Sequence, residues 1–249
     1  GERIESNIIL KEAGEAAALG VTKGSPKKLF GSFIHKNEVS VIAAGSNVGK
    51  SILAVALSHA LTQKATPKTF MGLEMEGAYK VLYYDFELSE EQFGHRYYGL
   101  MHTPDFIRAE YDFETDKAAN FSADLIKQHV KDSGAEIVVI DNLSALVGDD
   151  TDINKFNEGK NLMFALKRLT KRKVNPLTII ILTHTRKSNG ETELSDEMIN
   201  GSRNLVNLAD SVLMMGRLKG GLRYLKQTKV RVAAHYAQCL LCKITDESG

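Results

Sequence analysis

The stretch at positions 44–51 contains residue types that suit the binding of a phosphate group. It reads Ala-Gly-Ser-Asn-Val-Gly-Lys-Ser and comes directly after the apolar run at 39–43. Small residues let backbone N–H groups converge on phosphate oxygens, Lys50 can reach the β- and γ-phosphates, and the hydroxyl of Ser51 can ligate Mg²⁺. We therefore predict that this loop binds ATP together with Mg²⁺. The predicted contacts are Gly45, Ser46, Asn47, Val48, Gly49, Lys50 and Ser51.

The elements on either side of this loop are predicted from hydrophobic periodicity. The preceding run resembles a buried strand, and the apolar spacing over 52–61 predicts a helix whose N-terminus favours an anion. Ala44 stands where the motif G-x-x-x-x-G-K-[ST] has its first Gly, so we expect a negative φ at that position. The alternative is a chance Gly-Lys-Ser on a surface turn, which a flanking strand and helix disfavour.

Carboxylates follow two more predicted strands. The strand at 80–86 contains Asp85 and precedes Glu87, at the carboxyl end where ligands collect in open α/β sheets. Either acid could instead be a solvated strand-end residue. The four β-branched residues at 137–140 precede Asp141, as expected for a buried parallel strand that delivers one carboxylate to a metal's water shell. Apolar runs that end in Asp are common, so this assignment depends on the presence of the phosphate loop.

Composition and length limit the classes of protein to consider. With 249 residues, 43% hydrophobic and 25% charged, the sequence is typical of a globular protein, and no run has the length of a membrane span. We expect an N-terminal extension at 1–26, packed on a single domain at 27–249, and a cytoplasmic location without a membrane partner. A net charge of +1 argues against a uniformly basic nucleic-acid binder but permits a local basic channel.

Alternating predicted strands and helices indicate a three-layer α/β fold. The sheet should be mainly parallel and extended by antiparallel strands at the C-terminal end. Cys239 and Cys242 lie in an apolar, strand-like run, which favours two free thiols over a metal or redox site. The basic end of a predicted helix at 154–173 could face a polyanion, or could simply complement the helix dipole.

The ordered motifs resemble those of RecA-like ATPases of the hexameric helicase type, closest to the plasmid replicative helicase RepA group and DnaB. The resemblance covers roughly 27–232 and is carried by AGSNVGKS, YYDFELSEEQFGHR, IVVIDNLSAL, IIILTHTRKS, NGSRNLVNLADSVL and TKVR. It implies a RecA-like P-loop fold, ATP hydrolysis with Mg²⁺, a hexameric ring and a function in plasmid or mobile-element replication or mobilisation.

The resemblance also implies roles for individual residues. Glu87 would be the general base, on a strand next to the P-loop strand, and His184 the γ-phosphate sensor. Lys50 and Ser51 would hold phosphates and metal, with Asp141 acting on the metal through water. Lys229 and Arg231 would be fingers that enter the neighbouring subunit's site.

Single-stranded DNA would be contacted by Arg186, Lys187 and Arg203 in such a ring. Two features weaken this expectation: the segment 148–152 is acidic, and no aromatic residue interleaves with the cations. Two alternatives therefore remain, an ATP-driven regulatory or scaffolding switch and a small-molecule kinase.

Overall fold

The computed structural model describes residues 11–100, 103–110, 121–143, 153–186, 194–199, 203–231, 234–236 and 238–245. For residues 100, 153–159, 203 and 204 it describes the backbone alone. Lys187 and the acidic segment 148–152 lie outside the described residues.

Strands and helices alternate along the chain, as predicted. The strands are β1 Lys28–Phe30, β2 Ile34–His35, β3 Val39–Ala44, β4 Lys68–Phe70, β5 Leu73–Met75, β6 Val81–Asp85, β7 Phe106–Glu110, β8 Ile137–Asp141, β9 Thr178–His184, β10 Ser211–Arg217, β11 Leu222–Val230 and β12 Leu240–Lys243. The helices are α1 Ala13–Thr22, α2 Lys50–Thr62, α3 Glu90–Tyr97, α4 Ala123–Ser133, α5 Ile153–Thr170 and α6 Arg203–Leu208.

The main sheet has eight strands in the order β12-β11-β10-β3-β9-β8-β6-β7. The six strands from β10 to β7 are parallel, and β11 and β12 extend the sheet in antiparallel pairing. Residue pairing places Ala44 beside His184 and Asp85 beside Asp141, so the strand ends that bear the predicted site residues lie along one edge of the sheet. The predicted fold class is confirmed.

The prediction that the strand before Glu87 is next to the P-loop strand is wrong. β9 and β10 flank β3, and β9 and β8 separate it from β6. Sequence order fails here because the chain crosses over the sheet between successive strands, and hydrophobic patterning does not record where each strand inserts. Glu87 does follow the strand adjacent to that of Asp141.

Two apolar cores, one on each face of the sheet, make the fold three-layered. One face packs against α2 and the β1–β2 region, with Leu57, Leu61 and Phe33 fully buried or nearly so. The other face packs against α4 and α5, through Ile126 and Leu166. Both faces of the parallel strands are therefore covered, which explains their continuous β-branched sequences.

Three local features lie outside the main sheet: the β4–β5 hairpin, helix α1 and the start of helix α3. β4 and β5 form a short antiparallel hairpin outside the main sheet. No residue of α1 is buried, and its Ala-rich sequence carries little apolar surface to bury. Positions 1–10 of the predicted extension lie outside the described residues, so its packing on the core stays a prediction. A capping box formed by Ser89 and Gln92 begins α3; Ser, followed three residues later by Gln, is the sequence pattern of this motif.

Cys239 and Cys242 are free thiols, as predicted, and burial raises the pKa of the Cys242 thiol.

Among the described helices, none combines the length and apolar character that crossing a membrane requires.

Candidate functional site

The predicted phosphate loop joins the end of β3 to the start of α2. Ala44 is fully buried in β3 and has a negative φ, as expected, whereas Asn47 and Gly49 have φ of 59° and 111°. The positive φ at Gly49 is why a glycine is needed there. No described side chain caps the N-terminus of α2, so its first N–H groups and its dipole are available to an anion.

Lys50 places its ammonium between the predicted catalytic base, Glu87, and the predicted metal-site carboxylate, Asp141. Its Nζ atom lies 3.6 Å from Oε1 of Glu87 and 3.6 Å from Oδ1 of Asp141. The residue is only 5% exposed. A buried cation needs such anionic partners. Lys50 is also the residue at which the phosphate loop ends and α2 begins. The tertiary structure thus brings together three residues that are separated by up to 91 positions in the sequence, from Lys50 to Asp141.

Asp141 offers an open acceptor in a buried position. Its Oδ2 atom accepts a hydrogen bond of 2.7 Å from the Tyr83 hydroxyl, while Oδ1 is buried and has no hydrogen-bond partner among the described residues. Burial raises the pKa of Asp141, and the Lys50 ammonium and the hydroxyls of Tyr83 and Ser51 oppose that rise. The carboxylate therefore gains from any further cation at Oδ1.

These residues fit the Mg²⁺ that a P-loop nucleotide site uses. Ser51 lies close enough to Asp141 to lower its pKa, so a hydroxyl and a carboxylate face the same space. The described residues contain no group of three or more His, Cys, Asp or Glu side chains arranged as a metal site. That agrees with Mg²⁺ chemistry, in which one or two protein oxygens suffice because phosphates and waters complete the shell.

Glu87 lies at the centre of a polar group at the carboxyl edge of the sheet. Its Oε1 atom accepts a hydrogen bond from Nδ2 of Asn142 and lies 3.4 Å from Nε2 of His184. Asn142 Nδ2 is also 3.2 Å from His184 Nε2. The Glu87 side chain is 35% exposed, so its carboxylate reaches both the site and solvent water. The geometry suits a base that orients a water molecule.

A buried ion pair fixes the turn that carries Glu87. Asp85 is 2% exposed, and its Oδ1 atom accepts hydrogen bonds from the backbone N–H groups of Glu87 and Leu88, at 3.0 and 2.9 Å. Its Oδ2 atom accepts a 3.0 Å bond from Nε of Arg108, whose Nη2 atom donates to the Leu88 carbonyl at 2.5 Å. Asp85 is therefore a support for the turn and not a solvated acid.

Lys229 and Arg231 lie near the opposite edge of the sheet from the phosphate loop. Lys229 pairs with Val212, near the start of β10, whereas Ala44 pairs with Met215 near its end. Lys229 donates to the carbonyls of Val206 and Asn207 at 2.5 and 3.2 Å, and Arg231 donates to Asn207 at 2.5 Å. Both cations thus complement the C-terminus of α6 within their own chain. Burial, and secondarily Arg231, lowers the pKa of Lys229.

Of the predicted DNA-contacting residues, the structure describes Arg186 in full and only the backbone of Arg203. Arg186 is exposed, and its backbone N–H donates to the Met198 carbonyl at 2.6 Å. Thr185 pairs with Ile199, so the two ends of the intervening segment are held together. Arg203 begins α6, and its side chain lies outside the described residues, as does Lys187.

Three residues of the site were not predicted from the sequence, namely Tyr83, Arg108 and Asn142. Each carried a weak signal. Asn142 directly follows Asp141, and Arg108 is a charge between the apolar residues Ile107 and Ala109 of a strand. In the sequence, Tyr83 looks like any aromatic residue of a buried strand. Its hydroxyl reaches Asp141 only because β6 pairs with β8 in the folded chain.

A comparison with protein families agrees with this geometry. A family model described as AAA domain matches residues 11–190. The chain belongs to this AAA domain family. The crystal structure of the flagellar accessory protein FlaH from Methanocaldococcus jannaschii has the same fold, with a TM-score of 0.55 and 14% identity over 94% of this chain and 93% of the FlaH chain. No curated protein matches the sequence. The chain is a RecA-like P-loop ATPase module.

Proposed function

We propose that this AAA-domain protein is a Mg²⁺-dependent ATP hydrolase that acts as a hexameric ring and translocates single-stranded DNA in the replication or mobilisation of a plasmid or mobile element. The observation that carries the hydrolase function is the position of Lys50, 3.6 Å from both Glu87 and Asp141 at the end of a phosphate loop. The ring and the DNA substrate are supported by the order of the sequence motifs.

Hydrolysis would depend on positioning and charge rather than on a covalent intermediate. Lys50 and the N–H groups at the start of α2 would hold the phosphates, and Ser51 and Asp141 would hold Mg²⁺, which would neutralise charge on the phosphates. Glu87 orients the attacking water and accepts its proton, while Asn142 and His184 keep the Glu87 carboxylate in place. His184 directly precedes Thr185, which pairs with Ile199. A change at the γ-phosphate would therefore be transmitted through His184 to the segment between Thr185 and Ile199.

A ring would supply what one chain lacks. In the described part of one chain, Lys229 and Arg231 contact α6 and lie away from the phosphate loop. Cations that enter the neighbouring subunit's site would neutralise charge on the transferred phosphoryl group.

Complementation between two inactive variants tests this arrangement. Lys50→Ala removes the phosphate ligand of one subunit, and Arg231→Ala removes its finger. If fingers act in trans, mixing the two variants restores part of the activity, because some interfaces combine an intact loop with an intact finger. No recovery in mixed rings of verified composition would contradict the trans role of Arg231.

A regulatory or scaffolding ATPase is the second candidate. FlaH, which has the same fold, is described as an accessory protein, and a shared fold hosts many functions. An assay of phosphate release with and without oligo-dT, at low salt and with a mass measurement of the assembly, separates the two. Stimulation of a ring by DNA supports the translocase; a ring that hydrolyses ATP without stimulation supports the switch.

A further inference from the structure

Arg223 connects the hairpin turn between β10 and β11 to the phosphate loop. It is the second residue of β11, which starts at the carboxyl edge of the sheet because it runs antiparallel to β10. Its Nε atom donates a 2.8 Å hydrogen bond to the carbonyl oxygen of Val48, inside the loop. Its Nη1 atom donates to the carbonyl oxygen of Gly221, in the turn just before β11. The guanidinium therefore bridges the phosphate loop and the hairpin turn.

The phosphate loop has few hydrogen bonds of its own. Ser46 and Asn47 are exposed, and Asn47 and Gly49 have positive φ. None of the backbone N–H groups at 46–49 donates to an acceptor among the described residues. Free N–H groups suit a phosphate, but they do not hold the loop in one conformation. A loop that is ordered beforehand loses less conformational entropy when it binds an anion.

The contact with Val48 fixes the direction of the next N–H group. The peptide bond between Val48 and Gly49 is trans. The C=O and N–H groups of a planar trans peptide point in opposite directions. Because Arg223 holds the oxygen on the side of β11, the N–H group of Gly49 faces away from that strand. The carbonyl oxygen, which would repel a phosphate oxygen, is kept on the β11 side.

A second contact on the loop comes from the strand next to β11. Ile244 follows β12, which pairs with β11 so that Arg223 lies opposite Cys242. A Cβ atom at position 49 would collide with Cδ1 of Ile244, so the Ile244 side chain packs directly on Gly49. This contact is apolar, whereas that of Arg223 is polar and directional. β11 and the end of β12 therefore hold the loop in two independent ways.

Arg223 also brings a positive charge to the loop. Both acceptors of its hydrogen bonds are neutral carbonyls, and no carboxylate among the described residues forms an ion pair with it. The residue is partly buried. A hydrogen bond from a charged donor is stronger than one between neutral groups. A partly buried cation without a counter-ion also favours an anion nearby, such as the phosphates of a nucleotide.

We propose that Arg223 is a positioning residue for the phosphate loop, which holds the Val48 carbonyl and so keeps the Gly49 N–H group directed at the nucleotide's phosphates. The inference rests on the proposed binding of ATP at this loop. Backbone N–H groups of such a loop cradle the α- and β-phosphates, which ATP and ADP share. Arg223 therefore acts on the affinity for both nucleotides, while Glu87 and the chemical step are not directly affected.

Nucleotide binding and hydrolysis by the full chain test the proposal. The variant is Arg223→Met, which removes the charge and both donors but keeps an unbranched side chain. The matched control is Lys219→Gln, which removes one charge from an exposed residue of the turn between β10 and β11. The dissociation constant for ADP, KM for ATP, kcat and the temperature of thermal unfolding are measured for each variant.

We expect Arg223→Met to raise the dissociation constant for ADP and KM for ATP about ten-fold each, with kcat changed less than about three-fold. Lys219→Gln should change each quantity less than about two-fold. An unchanged ADP affinity in a folded Arg223→Met variant would overturn the proposal. If kcat fell in that variant while ADP bound normally, Arg223 would act on the transferred phosphate instead. An equal loss of affinity in Lys219→Gln would also overturn the proposal, because net charge alone would explain it.

Arg223→Lys keeps the test decisive if Arg223→Met does not fold. A lysine retains the positive charge but lacks the Nε donor and the planar arrangement of donors, so only partial recovery of ADP affinity is expected. A folded Arg223→Lys variant that binds ADP as tightly as the unmodified chain would overturn the positioning role in favour of charge alone. Failure of the proposed hydrolase is a distinct result, because the unmodified chain itself would then bind neither ADP nor ATP, and the role of Arg223 would be overturned with it.

Discussion

The two edges of the main sheet treat buried carboxylates in different ways. At the carboxyl edge, Asp141 accepts a hydrogen bond from Tyr83 and faces Lys50. At the amino edge, both oxygens of Glu38 lack a hydrogen-bond donor among the described residues. The pKa of both groups is raised by burial, but only at Asp141 do an ammonium and hydroxyls oppose the rise through direct contacts.

This difference shows which edge of the sheet holds its charged groups in position before a ligand binds. Parallel strands end together at the carboxyl edge, so short extensions from β3, β6, β8 and β9 meet at one point. The amino edge is formed by the turns that enter the strands and by helix ends, which leaves a wide groove with charges set apart. The first edge suits a small, highly charged ligand.

The largest expected effect concerns the residues at the carboxyl edge of the sheet. Lys50→Ala and Glu87→Gln should each lower the rate of ATP hydrolysis by about 1,000-fold or more, because one removes the phosphate ligand and the other the base. Glu87→Gln should still bind ATP, since the amide keeps the shape of the side chain and removes only its charge. Phosphate release and nucleotide binding are measured separately.

Lys64→Ala is the matched control for these variants. Lys64 is exposed, just after the end of α2, and should be neutral. A Glu87→Gln variant that hydrolyses ATP at the normal rate would show that the carboxyl edge uses a different base.

A smaller effect is expected from the support behind Glu87. Arg108→Ala removes the donors to Asp85 and to the Leu88 carbonyl, so the turn that carries Glu87 loses its fixed position. We expect kcat to fall about ten-fold with KM for ATP changed less than about two-fold, because the base is displaced while the phosphate loop is intact.

Arg108→Lys separates charge from geometry. A lysine keeps the positive charge but cannot form the guanidinium's two directed contacts, so only partial recovery of kcat is expected. If Arg108→Ala leaves kcat unchanged in a folded protein, the Asp85–Arg108 pair serves stability alone.

The last expected effect is one on stability at the amino edge. Burial first, and Asp210 second, raise the pKa of Glu38 from its ordinary value of 4.5 to about 7, against the opposing influence of Lys171 and Lys167. His35 faces the same carboxyl, with Nδ1 3.8 Å from Oε2, and burial lowers the pKa of His35. Between pH 4.5 and 7 the folded chain holds a proton that the unfolded chain has lost, so stability falls as the pH rises.

Glu38→Gln should remove that loss. The variant should gain up to about 3 kcal/mol in the free energy of unfolding above about pH 7, and almost nothing at about pH 4.5. Thermal unfolding at both pH values measures the difference. Glu136→Gln is the control, because Glu136 is an exposed partner of Lys36 and should give no such pH dependence. A gain that is the same at both pH values would contradict the deprotonation of buried Glu38 as its cause.

The sequence predicted the parts of the fold that depend on local pattern. The P-loop strand and helix, the strand before Asp141 and the capping box at Ser89 all follow from residue type and spacing within a few turns of chain. The short β4–β5 hairpin could not be predicted in this way, because three-residue strands are too short to show a period.

What the sequence determined by itself was the chemistry that is available: a phosphate loop and carboxylates at strand ends. The tertiary structure alone decided which of these residues meet. The insertion of β9 and β8 between β3 and β6 sets the order of the site, and the pairing of β6 with β7 brings Arg108 to Asp85. Strand insertion depends on packing across the whole sheet, which no local pattern encodes. For the same reason, the unpartnered carboxylate oxygens of Glu38 became visible only in the folded chain.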